Sequence, residues 1–307
     1  MVNKSSGEIL NPKQTADYGN MIFNIFPNGR VLISGSLHKL YNHILGQAIN
    51  HDVFTYRKVS YTIGFLEEHF KIDPKSAKIS NLEFGVNIEP TVQANTIIAS
   101  LIVFKQHSFN KMNVRYLGCG IHCYMREYGI KVYNKGIQYN CEENILRFEK
   151  KIIKMRSGFD TPLVLADLLD KVIWHHCGVS LIADFNDVII DETINKAKLT
   201  KPDLNVYIEC INPLNWEKFT RRQRSQKKAR FNNIMLKYGK LQIKNEINNL
   251  IRGALNQMLS TRTYDCSPLG FTIGSSIPNW QNHFREEIGN IPTNNPQTKL
   301  VTFPHFN

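Results

Sequence analysis

The stretch Leu82-Glu83-Phe84-Gly85-Val86-Asn87-Ile88 decides the fold class. Leu82, Phe84, Val86 and Ile88 alternate with Glu83, Gly85, Asn87 and then Glu89. Strand side chains point to opposite faces with period two, so the pattern predicts a half-buried strand with one apolar and one polar face. Such alternation belongs to antiparallel sheets packed on one side.

The neighbouring segments agree. Met21 to Phe26, then Pro27-Asn28-Gly29, then Arg30 to Ser34 predicts a hairpin, with Gly29 suited to positive φ in the turn. Tyr56 to Phe70 carries Val59, Ile63, Leu66 and Phe70 at helical spacing. Thr91 to Phe104 is read as a helix despite its β-branched run. Gly120 to Met125, a turn near Tyr128-Gly129, and Ile130 to Lys135 predict a second hairpin. Asn144 to Met155 is read as a further strand. Thr161-Pro162 is read as opening a helix, with Thr161 as N-cap, Pro162 at the first position and leucines beyond. The expected class is α+β: a mostly antiparallel sheet with flanking helices, followed by a basic helical C-terminal region.

That region spans two expected helices, Asn215 to Tyr238 and Leu241 to Leu259, separated near Gly239. Lys218, Arg221, Arg222, Arg224, Lys227, Lys228 and Arg230 follow one another with no acid after Lys218. Like charges on one helix repel, which favours a bound anion such as a DNA backbone; a solvated helix face is the plainer alternative. The expected organisation is a sheet-bearing domain over 1–200, a basic helical region over 201–265 and a loop-rich tail over 266–307.

The 307 residues carry 38 Lys+Arg against 26 Asp+Glu, a formal charge of +12. A field of that sign attracts polyanions. Met1 to Gly19 has no apolar core, so no export signal is expected. No window offers the apolar run of about 18 residues that a membrane span needs. The six cysteines are expected as free thiols in a reducing cytoplasm. Cys119, His122 and Cys123, and His175-His176-Cys177, carry zinc-ligand side chains, but no clean second ligand pair follows.

The chemistry concentrates at Lys131-Val132-Tyr133-Asn134-Lys135 and Leu146-Arg147-Phe148-Glu149. On a strand, Lys131, Tyr133 and Lys135 share a face. Two ammonium groups beside a phenol, whose ordinary pKa is near 10, would favour the phenolate and stabilise a phosphorane-like transition state. Glu83 and Asn87 lie on the polar side of one strand, and Arg147 and Glu149 share a register on another. His38, Lys39 and His51 precede them. Each has a plainer reading: a surface acid, a cross-strand ion pair, a loop histidine. Their joint appearance carries the case.

These blocks resemble, in order, the gene II type replication initiation proteins of filamentous phages and related plasmids. The resemblance covers roughly residues 34–171. It runs through Ser34-Gly-Ser-Leu-His-Lys39, Asn50-His51-Asp52-Val53-Phe54, the strand Leu82 to Ile88, Val132-Tyr133-Asn134-Lys135 and Ile145-Leu-Arg-Phe-Glu149. It departs at Asp52, where many relatives have Asn, and in lacking a His-hydrophobic-His triplet. The resemblance implies a rolling-circle nickase. Tyr133 would be the nucleophile with Lys135 as partner. Glu83, Glu149 and His51 would lie near Mg2+ or Mn2+, with Lys39, His38, Asn87 and Arg147 completing the site. Lys131 and the basic helix would contact the DNA of a replication origin, single-stranded or hairpin, and the free 3′ end would pass to the host replication machinery. The competing expectations are a non-catalytic DNA or RNA binding protein and a metal-dependent nuclease that uses water. Tyr124, Tyr128 and Tyr139 are rival nucleophiles.

Overall fold

Alternating apolar and polar residues build the sheet that the sequence predicts. The computed structural model describes residues 6, 13–112, 120–239 and 242–260, with the backbone of 300–302. A first hairpin group holds β1 (Gln14–Tyr18), β2 (Met21–Ile25) and β3 (Val31–Ser34), all antiparallel. Gly29 makes the β2–β3 turn at φ +78°, a conformation that costs glycine nothing. Two helices follow, α1 (Leu37–Ile44) and α2 (Tyr56–Phe70). The Ser36 hydroxyl caps the first by accepting from Lys39 N, and Thr55 caps the second by accepting from Lys58 N.

β4 (Lys78–Ile88) comes next, then α3 (Ala94–Ser100), β5 (Leu101–Phe104), β6 (His107–Ser108) and β7 (Asn110–Lys111). β8 (Gly120–Tyr124) and β9 (Tyr128–Asn134) form the second hairpin. After α4 (Lys135–Tyr139), β10 (Leu146–Ile152) lies between β4 and β9, antiparallel to both. α5 (Lys171–Asn186) and β11 (Val188–Ile190) lead to α6 (Lys201–Ile211), α7 (Pro213–Lys218), α8 (Arg221–Tyr238) and α9 (Ile243–Leu259). β12 (Leu300–Thr302) pairs parallel with β3 and β4 and joins the two hairpin groups. The order is β1-β2-β3-β12-β4-β10-β9-β8-β7, with a smaller sheet β11-β5-β6. The class is α+β with antiparallel sheets.

Several local expectations are corrected. Residues 91–104 are not one helix: α3 stops at Ser100, and Leu101-Ile-Val-Phe104 pairs with β11, burying Val103 and Phe104. Its β-branched and aromatic side chains suit a pleated surface. Thr161-Pro162 opens no helix. Leu165 N donates to Ala77 O, and Leu163 O accepts from Ile79 N, so the start of β4 holds this backbone extended. The leucines enter a short 3-10 turn at Leu165–Leu169, and α5 starts later, with the Asp170 carboxylate accepting from Val172 N. The β8–β9 turn falls at Arg126-Glu127, since Met125 N bonds Tyr128 O and Gly129 already pairs with Tyr124. The expected helix over 215–238 breaks at Phe219-Thr220, where Thr220 caps α8. The tail past Cys266 lies outside the described residues except for β12, which is strand.

Three apolar clusters organise the helices. One packs α2 and the leucines after Phe159 on β1–β3. A second packs α3, α5 and α9 on the apolar face of β4, β9 and β10, with Val86, Phe148, Phe185 and Ile247 at its centre. A third joins α6, α7 and α8 around Trp216 and Phe231. Each large apolar side chain buried this way contributes about 1.5–3 kcal/mol. One charge sits on the apolar face: Lys150 is buried, with Nζ 2.6 Å from Asp184 Oδ2 and donating at 2.7 Å to Ser180 Oγ, both on α5.

Candidate active site

β10 centres the site. Its Arg147 lies opposite Asn87 of β4 and Tyr133 of β9, and its Glu149 lies opposite Gly85 and Lys131. Residues paired in register share a face. Glu83, Asn87, Lys131, Tyr133, Arg147 and Glu149 therefore emerge on the face turned away from α5 and α9. Two glycines open the space. A Cβ on Gly85 would sit 2.8 Å from Glu149 Cγ, and one on Gly120 would sit 2.8 Å from Tyr133 Cβ.

The six polar residues form one network, with Lys131, Tyr133 and Glu149 buried and Glu83, Asn87 and Arg147 half-buried. Glu149 Oε1 accepts from Tyr133 Oη at 3.1 Å and from Arg147 Nε at 2.8 Å. Lys131 Nζ lies 2.7 Å from Glu149 Oε2 and 2.7 Å from Glu83 Oε1. Arg147 also donates to Asn87 Oδ1 at 3.2 Å, and Asn87 Nδ2 donates to the His51 carbonyl at 2.8 Å. Burial opposes the Glu149 charge, yet Lys131 and Arg147 hold its carboxyl well below the usual range. Burial and then the Glu149 charge push the Glu83 carboxyl up to about 8. One carboxylate is thus ionised beside a neutral carboxylic acid near pH 7. Burial works against the Lys131 charge, but Glu149 and Glu83 raise its pKa.

Tyr133 differs from the expectation of a lysine-activated phenolate. Burial and the Glu149 charge push its phenol well above the ordinary range. The Lys131 ammonium serves the two glutamates rather than the phenol. Lys135 does not continue the strand: it is the first residue of α4, which the Asn134 side chain caps by accepting from Ile137 N. It remains electrostatically tied to the network, since burial and then the Arg147 charge lower its pKa to about 7.

α1 brings His38 and Lys39 to the same cleft, a cavity of about 270 Å³ that runs past Glu83, Tyr133, Arg147 and Glu149. Burial lowers the Lys39 pKa, with the Glu149 charge opposing. His38 Nε2 donates to Asp52 Oδ1 at 2.7 Å, and burial takes its pKa down to about 4. Asp52 also accepts from Lys58 Nζ at 2.9 Å and Asn42 Nδ2 at 2.9 Å. Asn42 and Lys58 escaped the sequence reading, because nothing in their spacing shows that both reach one carboxylate.

Other expected residues lie at the edge of this network or outside it. The His51 ring packs against Tyr139, centroids 5.6 Å apart, and among the described residues no three His, Cys, Asp or Glu side chains gather as a metal-binding group. Of the rival tyrosines, Tyr128 bonds Lys105 on the opposite face, Tyr124 is 41% exposed, and Tyr139 lies on α4. For zinc, His122 and Cys123 are adjacent on β8 and so face opposite ways, while Cys119 lies outside the described residues. The basic run is not one free cationic face. Lys227 pairs with Glu209, Lys228 with Asp187 at 2.5 Å and Arg230 with Asp203 at 3.2 Å. Arg224 donates to Phe219 O at 2.6 Å, while Arg221 and Arg222 are exposed. Acids distant in sequence supply these pairs, so the charge run overstated the free charge.

The fold and cluster define a class in chemical terms: an α+β protein with a tyrosine, two carboxylates and several cations buried on the polar face of an antiparallel sheet. No protein-family model, no curated protein and no solved structure matches the chain. No helix among the described residues is long and apolar enough to cross a membrane.

Proposed function

We propose that the protein is a rolling-circle replication initiator of a phage or plasmid, cutting and rejoining one DNA strand through Tyr133. The observation that carries this reading is the Tyr133 Oη to Glu149 Oε1 hydrogen bond at 3.1 Å, inside a cleft with Lys39, Lys131 and Arg147 around it. A neutral phenol bonded to an ionised carboxylate is a nucleophile with its general base in place. Tyr133 Oη attacks the scissile phosphorus as its proton passes to Glu149. The bond from phosphorus to the 3′ oxygen breaks, leaving a 5′-phosphotyrosine link and a free 3′-OH. The departing 3′ oxygen takes up a proton from solvent. Arg147 and Lys39 offset the charge that develops on the phosphate. The reverse sequence rejoins the ends without an external energy source.

A hard divalent cation at this place would compete with an ammonium already there. Two buried carboxylates face one another, and the cation between them is the Lys131 ammonium. Glu83 and Glu149 would hold Mg2+ or Mn2+. The ion would polarise the scissile phosphate there. The C-terminal basic helix, through Arg221 and Arg222, would hold DNA backbone at an origin, and host polymerase would extend the 3′ end.

The test is incubation with end-labelled origin DNA and Mn2+, followed by a denaturing gel. Label carried by the wild-type protein and lost in Tyr133→Phe supports the reading. Nicking that persists in Tyr133→Phe and dies in Glu149→Ala replaces it with a water-using nuclease. The double pairing of Lys131 favours one second reading, a non-catalytic DNA-binding protein in which the cluster is a self-neutralised charge network. That reading expects salt-dependent binding and no adduct.

A further inference from the structure

A row of rings leads outward from the cleft. His38, on the cleft wall, stacks on Phe54 with centroids 4.6 Å apart and 17° between planes. Phe54 meets Tyr41 at 6.3 Å, and Tyr41 meets Tyr61 edge-on at 5.7 Å. The row crosses the α1–α2 pair and ends on Tyr61, which is 47% exposed. Phe54 and Tyr41 are half-buried. Phe54 also packs against the first apolar cluster, and the row reaches the surface at Tyr61.

Cations border the row. Lys58 Nζ stands 5.5 Å from the Tyr41 ring centroid while paired with Asp52 at 2.9 Å, and Arg57 beside it is exposed. Neither α1 nor α2 has an acid in its first turn, and the one carboxylate that reaches both starts, Asp52, is shared between His38 and Lys58. Aromatic faces interleaved with positive charge suit single-stranded nucleic acid: every base has a π-face to stack, and the cations meet phosphates.

We infer that Phe54, Tyr41 and Tyr61 form a stacking platform for the single-stranded DNA flanking the bond cut in the cleft. The inference rests on the nucleic-acid reading above and adds the path of the strand. His38 marks where the path enters the cleft. Base stacking explains how such a strand is gripped independently of its sequence, leaving origin recognition to other surfaces.

The experiment is a fluorescence-anisotropy titration of the full chain with a labelled thymidine oligonucleotide. Wild type is compared with Tyr41→Leu, Tyr61→Leu, their double variant, and Arg221→Ala/Arg222→Ala. Leucine keeps apolar packing and removes the stacking face. The expected result is a loss of roughly tenfold in affinity per ring removed, with an unchanged salt slope because no charge is lost. Unchanged affinity in the double variant, with weakened binding in the arginine variant, overturns the platform and spares the nucleic-acid reading. Absence of salt-dependent binding by wild type overturns both. Equal binding of polyglutamate, lost in the same double variant, reassigns the row to an acidic protein segment. Should a variant fail to fold, photocrosslinking wild type with an iododeoxyuridine oligonucleotide decides: adducts on Tyr41, Phe54 or Tyr61 support the platform, and adducts confined to α8 overturn it.

Discussion

Tyr133 and Glu149 face each other from adjacent strands, one pair out of register, and share a hydrogen bond of 3.1 Å. Arg147, directly opposite Tyr133, orients the same Glu149 oxygen at 2.8 Å. The phenol therefore meets a carboxylate already fixed and ionised. Replacing Glu149 with Gln keeps the shape and removes the base. The expected outcome is loss of phosphotyrosine adduct by at least about a hundredfold, the usual scale for a general base, with oligonucleotide binding kept. Adduct formation at the wild-type rate in Glu149→Gln would remove Glu149 from the chemistry.

Gly85 gives Glu149 its room. An alanine Cβ there would fall 2.3 Å from Phe148 O and 2.7 Å from Glu149 Cα. Gly85→Ala is expected to push β10 from β4 and to cut adduct formation. Gly64→Ala, at an exposed helical position with open space around it, serves as the control. Equal activity in the two variants would show that the close approach is not needed.

Lys131 occupies the gap between Glu83 and Glu149. A metal held by those carboxylates competes with its ammonium, so Lys131→Met is expected to tighten Mn2+ binding in calorimetry. Glu83→Gln is expected to weaken it. Unaltered Mn2+ affinity in both variants places any metal elsewhere.

Lys135 supplies a pH signature. Its pKa falls from 10.5 to about 7 in the fold, chiefly through burial. Between those values the unfolded chain binds the proton and the folded chain does not, so stability from this group increases as pH rises from about 7 towards 10.5. Below about 7 the full penalty of a buried charge is present. Lys135→Met should therefore raise the melting temperature most below pH 7, with a benefit that shrinks as pH rises. A benefit independent of pH would mean that Lys135 does not titrate in this window.

Lys150 and Asp184 anchor α5 to the sheet at 2.6 Å. Both are buried. Asp184→Ala leaves the ammonium without its carboxylate and is expected to cost about 3–5 kcal/mol in urea denaturation. The paired change Lys150→Met/Asp184→Leu removes both charges and should cost much less. Equal losses in the single and double variants would show packing, not charge, to be the larger factor.

The sequence by itself determined the half-buried strands, the hairpin at Gly29 and helix α2, because period-two and period-3.6 patterns are local properties of the chain. It also determined that Glu83, Asn87, Arg147, Glu149, Lys131 and Tyr133 lie on polar strand faces. The tertiary structure alone decided which strands are neighbours, and hence that these six meet across β4, β10 and β9. It decided that Lys131 pairs with two glutamates, that burial raises rather than lowers the Tyr133 pKa, and that Lys227, Lys228 and Arg230 are already paired. It also decided that Leu101–Phe104 is a strand, and that Leu163 and Val164 stay extended against β4. Strand pairing, desolvation and long-range ion pairs join residues tens of positions apart, and a local pattern carries no record of such partners.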